Sequence, residues 1–119
     1  MNRSLAANVD WVGAVDWNIR DFHGYDTDRG TSYNSYLVRD EATTLIDTVK
    51  EVHADTLLTH IRALVDPASI KYLVCNHAEP DHAGSMQQVL AALPNAEVVC
   101  NEKCRVALSR HFDTSSWRF

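Results

Sequence analysis

Two imidazoles and two carboxylates fall within six residues in His77-Ala78-Glu79-Pro80-Asp81-His82, with Ala83-Gly84 following. Four ionisable groups at one turn repel one another or stay expensively desolvated, unless a cation neutralises the carboxylates and takes the imidazole lone pairs. The chemistry implied is therefore metal chemistry. A mixed imidazole and carboxylate set is harder than an all-histidine or thiolate set and suits iron or manganese at least as well as zinc, which also accepts carboxylate oxygen. A polar loop whose acid merely caps the next helix would need one carboxylate and no histidine.

The elements around this stretch must position it. Ile70-Lys71-Tyr72-Leu73-Val74-Cys75 is short, β-branched and aromatic, which predicts a buried strand ending near Asn76. Pro80 lacks a backbone donor and biases Glu79 away from helical dihedrals, so the ligands are expected on an irregular loop rather than a helix face. Met86, Val89, Leu90 and Leu93 then form an apolar helical stripe that Pro94 ends. Glu79 and Asp81 thereby sit near a helix N-terminus, where the partial positive charge favours their ionised forms.

Upstream lie Trp11-Val12-Gly13-Ala14-Val15-Asp16-Trp17-Asn18-Ile19-Arg20-Asp21-Phe22-His23-Gly24-Tyr25, then Arg29-Gly30-Thr31-Ser32-Tyr33-Asn34-Ser35-Tyr36-Leu37-Val38, then Ile46-Asp47-Thr48-Val49-Lys50. In this order, with His-x-Glu-x-Asp-His-x-Gly following, these segments closely resemble the start of the flavodiiron proteins, or A-type flavoproteins. The parent metallo-β-lactamase-like hydrolases usually carry a histidine where this chain has Glu79. The resemblance implies an α/β fold, the N-terminal half of a metallo-β-lactamase-like αββα sandwich, with antiparallel strands followed by βαβα. It implies a non-haem diiron site, FMN in a flavodoxin-like domain, reduction of dioxygen to water or of nitric oxide to nitrous oxide, and an electron donor such as rubredoxin. His77 and Glu79 match ligands of one iron, and Asp81 and His82 match ligands of the other. His23 matches a residue near the irons that hydrogen-bonds a ligand, and Asp47 an acidic support of the metal loop. No catalytic residue beyond the metal ligands is expected, and no residue of this chain is expected to bind FMN.

By the same resemblance, residues 1–119 are expected to be a partial diiron domain that stops before the remaining ligands and before the flavodoxin-like domain. Only His111 follows the metal motif, and it reads as the end of a helix, where an imidazole complements the dipole. The chain alone is expected to be inactive. Its inner sheet face should need cover from the missing half, a companion fragment or another copy of the chain. Two other classes remain open at this point: a binuclear zinc hydrolase, which Glu79 argues against, and a non-catalytic metal-binding or assembly module.

Composition is that of one globular unit, with 45% hydrophobic and 23% charged residues, which excludes a disordered chain and a membrane span. A net charge of -5 without basic clusters argues against nucleic acid. The residues from Met1 to Ala7 are too poor in apolar side chains for a secretion signal, and an odd count of three cysteines suggests reduced thiols, so a cytoplasmic protein is expected. Cys75 reads as a small core residue. Cys100 and Cys104 lack the spacing of a zinc ribbon or redox motif and read as structural.

Elsewhere, strands are predicted over Trp11 to Trp17, Tyr33 to Arg39 and Ala42 to Asp47 as an antiparallel meander. A helix follows on Leu57, Leu58, Ile61, Leu64 and Val65, closed by Asp66-Pro67. A strand from Ala96 to Cys100 and a helix from Glu102 to Arg110 complete the alternating half, with right-handed crossovers. Trp11, Trp17 and Tyr25 read as core or site-wall aromatics, and His53 and His60 as surface residues.

Overall fold

Two segments that alternate like single long strands each break in the middle and pass from one sheet to another. The computed structural model describes residues 3–17, 21–22, 25–26 and 30–119. Its strands are β1 (Arg3–Ala6), β2 (Val9–Trp11), β3 (Ala14–Asp16), β4 (Asp21–Phe22), β5 (Tyr25–Asp26), β6 (Thr31–Tyr33), β7 (Tyr36–Val38), β8 (Thr44–Ile46), β9 (Tyr72–Val74) and β10 (Glu97–Val99). Its helices are α1 (Ala54–Arg62), α2 (Pro80–Ala83), α3 (Met86–Ala92) and α4 (Glu102–His111).

The expected strand from Trp11 to Trp17 is β2 and β3, parted at Val12 and Gly13. The expected strand from Tyr33 to Arg39 is likewise the end of β6 and all of β7, parted at Asn34 and Ser35. β2 pairs with β7 in the main sheet, whereas β3 pairs with β6 in a separate ribbon. The break is stabilised because its polar groups find partners: Val12 N donates to Ser35 O at 2.9 Å, and the His60 ring nitrogen Nδ1 lies 3.0 Å and 2.9 Å from the carbonyls of Val12 and Gly13. Gly13 is needed there, since an added Cβ would meet Tyr33 O at 2.0 Å. His60 is thus no surface residue: it is half-buried, stacks at 6.1 Å on Trp11 and pins α1 to the strand break.

The main sheet runs β1-β2-β7-β8-β9-β10, antiparallel through β8 and parallel from β8 to β10. β1 lies in a segment where the sequence suggested no element. Period-two alternation sends one row, Asp10, Leu37, Leu45, Leu73 and Val98, to the buried face, where the four apolar members join Leu57, Leu58 and Ile61 of α1, Met86 and Val89 of α3 and Leu108 of α4 in one core. Asp10 is tolerated in that row because Arg39 donates to its Oδ2 at 2.9 Å. The opposite face carries Trp11, Tyr36, Ile46, Val74 and Val99 in register across five strands, all half-buried or exposed, with Val99 at 46% exposure. Among the described residues this apolar row is only partly covered.

The metal motif departs from its expected loop conformation. Pro80 to Ala83 form a short helix, because proline at the first helical position has φ already set and forfeits a donor that would have no partner there. Glu79 is its N-cap in extended conformation, in keeping with the restriction proline places on the residue before it. Gly84 closes the turn against the backbone of Lys50 and Glu51, where a Cβ would lie 2.4 Å from Pro80 O and 3.0 Å from Glu51 N. Gly84→Ala is therefore expected to cost about 1–3 kcal/mol by overpacking. Thermal unfolding followed by circular dichroism checks it, and an unchanged midpoint would show that the turn relaxes freely.

Candidate metal site

Asp47 organises the metal loop from the end of β8. The residue has φ 58, a left-handed conformation that aspartate tolerates better than most side chains, and its carboxylate is buried. Asp47 Oδ1 accepts from Asn76 N at 2.8 Å, while Oδ2 accepts from Asn76 Nδ2 at 3.1 Å and from His82 Nδ1 at 3.1 Å. The neighbouring backbone completes the clamp. Thr48 donates through both N and Oγ1 to His82 O at 2.8 Å and 2.7 Å, Ser85 N donates to Val49 O at 3.0 Å, and Ser35 Oγ holds Asp47 O at 2.8 Å. The segment Asp47-Thr48-Val49 therefore fixes the position of His82 and its helical turn.

With Nδ1–H donating to Asp47, the Nε2 of a neutral His82 presents its lone pair, and that atom lies 3.3 Å from Asp81 Oδ2. A cation between the two atoms would take both lone pairs. His77 adds a second imidazole, its ring centroid 4.8 Å from that of His82. Glu79 makes no side-chain cap to the turn it begins, and with His77 it opens on one cavity of about 750 Å³. That cavity is also lined by Asp16, Lys50 and Glu51 and by apolar walls from Val52, Ala78, Pro80 and Phe112.

The four expected residues are therefore brought to one end of β9, as the pairs His77 with His82 and Asp81 with His82, and Glu79 beside His77 on the cavity. Among the described residues no group of three or more histidine, cysteine, aspartate or glutamate side chains converges tightly enough to hold a metal ion by itself. The donor set fits a hard or borderline divalent cation in its chemistry. His23 lies outside the described residues. His111 ends α4, exposed, on the rim of the same cavity.

Three residues at the site escaped the sequence reading. Tyr33 OH donates to Asp16 Oδ2 at 2.9 Å, and His53 Nε2 lies 3.6 Å from the same oxygen, so His53 is partly buried rather than a surface residue. Burial first, then the hydrogen bond and charge of Asp16, then the charge of Asp81, push the Tyr33 phenol well above its usual range. The only signal in the sequence was an aspartate closing an alternating strand, which by itself reads as a turn residue. Trp17, expected in a core or site wall, is 67% exposed, and the side chain of Tyr25 lies outside the described residues.

The cysteines behave as packing residues behind the site. Cys75 and Cys104 are buried with sulfurs 3.6 Å apart, and Cys75 Sγ–H reaches His77 O at 3.1 Å. Burial raises the Cys100 thiol to about 11, with Cys104 adding to the effect.

Comparison with known proteins bears on this arrangement. A sequence profile described as ODP family beta lactamase matches residues 31–119. A nitric oxide reductase of Moorella thermoacetica is 42% identical over 111 residues, which is 92% of this chain and 28% of that protein. Among solved structures, the flavodiiron protein of Giardia intestinalis superposes with a TM-score of 0.93 at 42% identity over 99% of this chain and 29% of its own. The rubredoxin oxygen:oxidoreductase of Desulfovibrio gigas does so with a TM-score of 0.92 at 41% identity, over 98% and 29%. The chain thus spans less than a third of the length of these relatives. No helix among the described residues is long and apolar enough to cross a membrane.

Proposed function

The chain belongs to the ODP beta-lactamase family, and from that membership we propose that it is the N-terminal part of the diiron domain of a flavodiiron reductase acting on dioxygen, nitric oxide or both. The observation that carries the reading is the His82 imidazole, locked by Asp47 through Nδ1 and turned so that Nε2 faces Asp81 Oδ2. A carboxylate behind a ligating histidine fixes its tautomer and raises its basicity. His77 and Glu79 would serve one iron, and Asp81 and His82 the other. Bound iron would supply a redox-active Lewis acid at which the gas is reduced. The chain's residues would hold the His82 imidazole in one orientation, keep negative charge beside the metals and place apolar side chains along the approach.

The rest of the protein would supply the remaining ligands, the FMN-bearing flavodoxin-like domain and the cover for the open row from Trp11 to Val99. A rubredoxin-type carrier is the proposed electron donor, in line with the name of the Desulfovibrio gigas relative, and the cytoplasm with its reduced thiols is the proposed compartment. The partly covered face equally predicts association of an isolated chain with copies of itself or with a companion fragment.

An isolated chain of these 119 residues is expected to bind iron weakly, because a ligand set left incomplete must be filled by solvent. Anaerobic iron loading, desalting and elemental analysis test this. Retention of a stoichiometric iron pair by verified monomer would show that the site closes within this chain, and turnover of either gas by that monomer would do the same for the activity.

A further inference from the structure

We propose that His53, Asp16 and Tyr33 form a proton-transfer chain into the cavity that His77 and Glu79 line, with His53 exchanging protons with solvent and Asp16 passing them inward. The proposal rests on the reductase reading above, in which each gas takes up one proton for every electron. Electrons arrive through the donor and flavin. Each proton must reach the reactant through a donor at the cavity, and Asp16 is a carboxyl on its wall.

Three separate elements converge to make this chain. Asp16 ends β3, Tyr33 ends the partner strand β6 opposite Ala14, and His53 closes a single 3-10 turn that begins at Glu51. Asp16 lines the cavity, and its Oδ2 accepts the Tyr33 hydroxyl at 2.9 Å with His53 Nε2 3.6 Å away. The His53 side chain is 24% exposed and that of Asp16 14%, so the imidazole is the member in better contact with solvent. The rings of Tyr33 and His53 lie 5.6 Å apart, which keeps both against the same carboxylate oxygen. Other charged groups around them are Lys50, with Nζ 5.8 Å from the Tyr33 ring centroid, Glu51 on the cavity wall, and Asp81, whose charge acts on the phenol.

The roles divide by chemistry. An imidazole is the side chain suited to exchanging protons near neutrality. Its proton passes from Nε2 to Asp16 Oδ2 when the 3.6 Å separation closes to hydrogen-bond distance or one water bridges it, the ring takes another from solvent, and the Asp16 carboxyl releases its proton to the reactant in the cavity. No bond between heavy atoms forms or breaks. Tyr33 is held protonated by its burial and by Asp16, so it anchors Oδ2 as a permanent donor and does not titrate with the others. Asp16 is the member that meets the reactants. His53 and Tyr33 are positioning and relay groups.

The test uses the whole protein carrying Asp16→Asn or His53→Ala, loaded with iron and flavin and supplied with reduced rubredoxin. Each variant is expected to lose turnover of dioxygen or nitric oxide by about 100-fold in kcat, the scale of a lost general acid, with KM unchanged. Iron content should match the wild type, and added imidazole should restore His53→Ala in a concentration-dependent way. A second readout needs neither metal nor turnover: in Asp16→Asn the tyrosinate absorbance of Tyr33, assigned by difference from Tyr33→Phe, should appear at lower pH than in the wild type. Wild-type kcat in Asp16→Asn, loss of iron together with activity, or an unmoved Tyr33 titration would each overturn the chain. A wild-type protein that reduces neither gas would instead overturn the reductase reading on which the proposal rests.

Discussion

In the whole protein, His77→Ala and Glu79→Ala are each expected to empty one iron position and abolish reduction of both gases while leaving FMN bound. The effect should exceed the roughly 10- to 100-fold that loss of an outer hydrogen-bond partner costs a metal site. His77 and Glu79 flank Ala78 at the cavity, so removal of either takes a donor from the same side of the site. Of the other ionisable side chains on that wall, Asp16 is held by the Tyr33 hydroxyl and Glu51 accepts from Gln88 Nε2 at 3.3 Å, while Lys50 carries an ammonium group and His111 sits on the rim. Flavin binding should survive because the proposed FMN domain lies outside these residues. Elemental analysis with flavin absorbance and anaerobic electrode assays separates the effects. Full iron and full turnover in both variants would remove His77 and Glu79 from the ligand set.

How much of this was legible in the sequence depended on the range of the interactions involved. The strand leading to His77, the apolar stripes of α1 and α3 and the parallel half of the sheet are local patterns, and each element appears within a few residues of its expected position. The residue types proposed as ligands were equally plain, because four such groups in six residues point to a cation. The breaks at Gly13 and Ser35 were not, since they depend on Val12, Ser35 and His60 meeting from three distant segments. The helical turn at Pro80 was missed for a different reason. Proline disrupts a helix interior, whereas at the first position of a helix it is favoured. His53 and His60 looked like surface residues because their helix-adjacent positions say nothing of the strands they pack against.

Asp47 likewise acts between distant segments. Sequence resemblance marked it as a support, but only the fold shows three donors converging on its carboxylate from Asn76 and His82. Asp47→Ala should cost about 2–4 kcal/mol, since hydrogen bonds to a charged group contribute about 1.5–3 kcal/mol each and the buried donors of Asn76 lose their acceptor. Alanine also keeps the left-handed backbone at φ 58 without the local polar contacts that make it tolerable. Glycine separates the two contributions. Asp47→Gly relieves the backbone by about 1 kcal/mol and should unfold less readily than Asp47→Ala, yet it equally abandons His82 Nδ1. Both variants are therefore expected to lower iron affinity by about 10- to 100-fold, because the His82 ring loses the partner that fixes its tautomer and orientation. Asp47→Asn keeps an acceptor for Asn76 but places an amide where His82 requires a carboxylate oxygen, so it should retain most stability and still lose affinity. Chemical denaturation measures the first effect, and competition with a chelator of known iron affinity measures the second. Wild-type affinity in Asp47→Gly would mean that His82 is oriented without Asp47, and would leave the aspartate a purely structural clamp on Asn76.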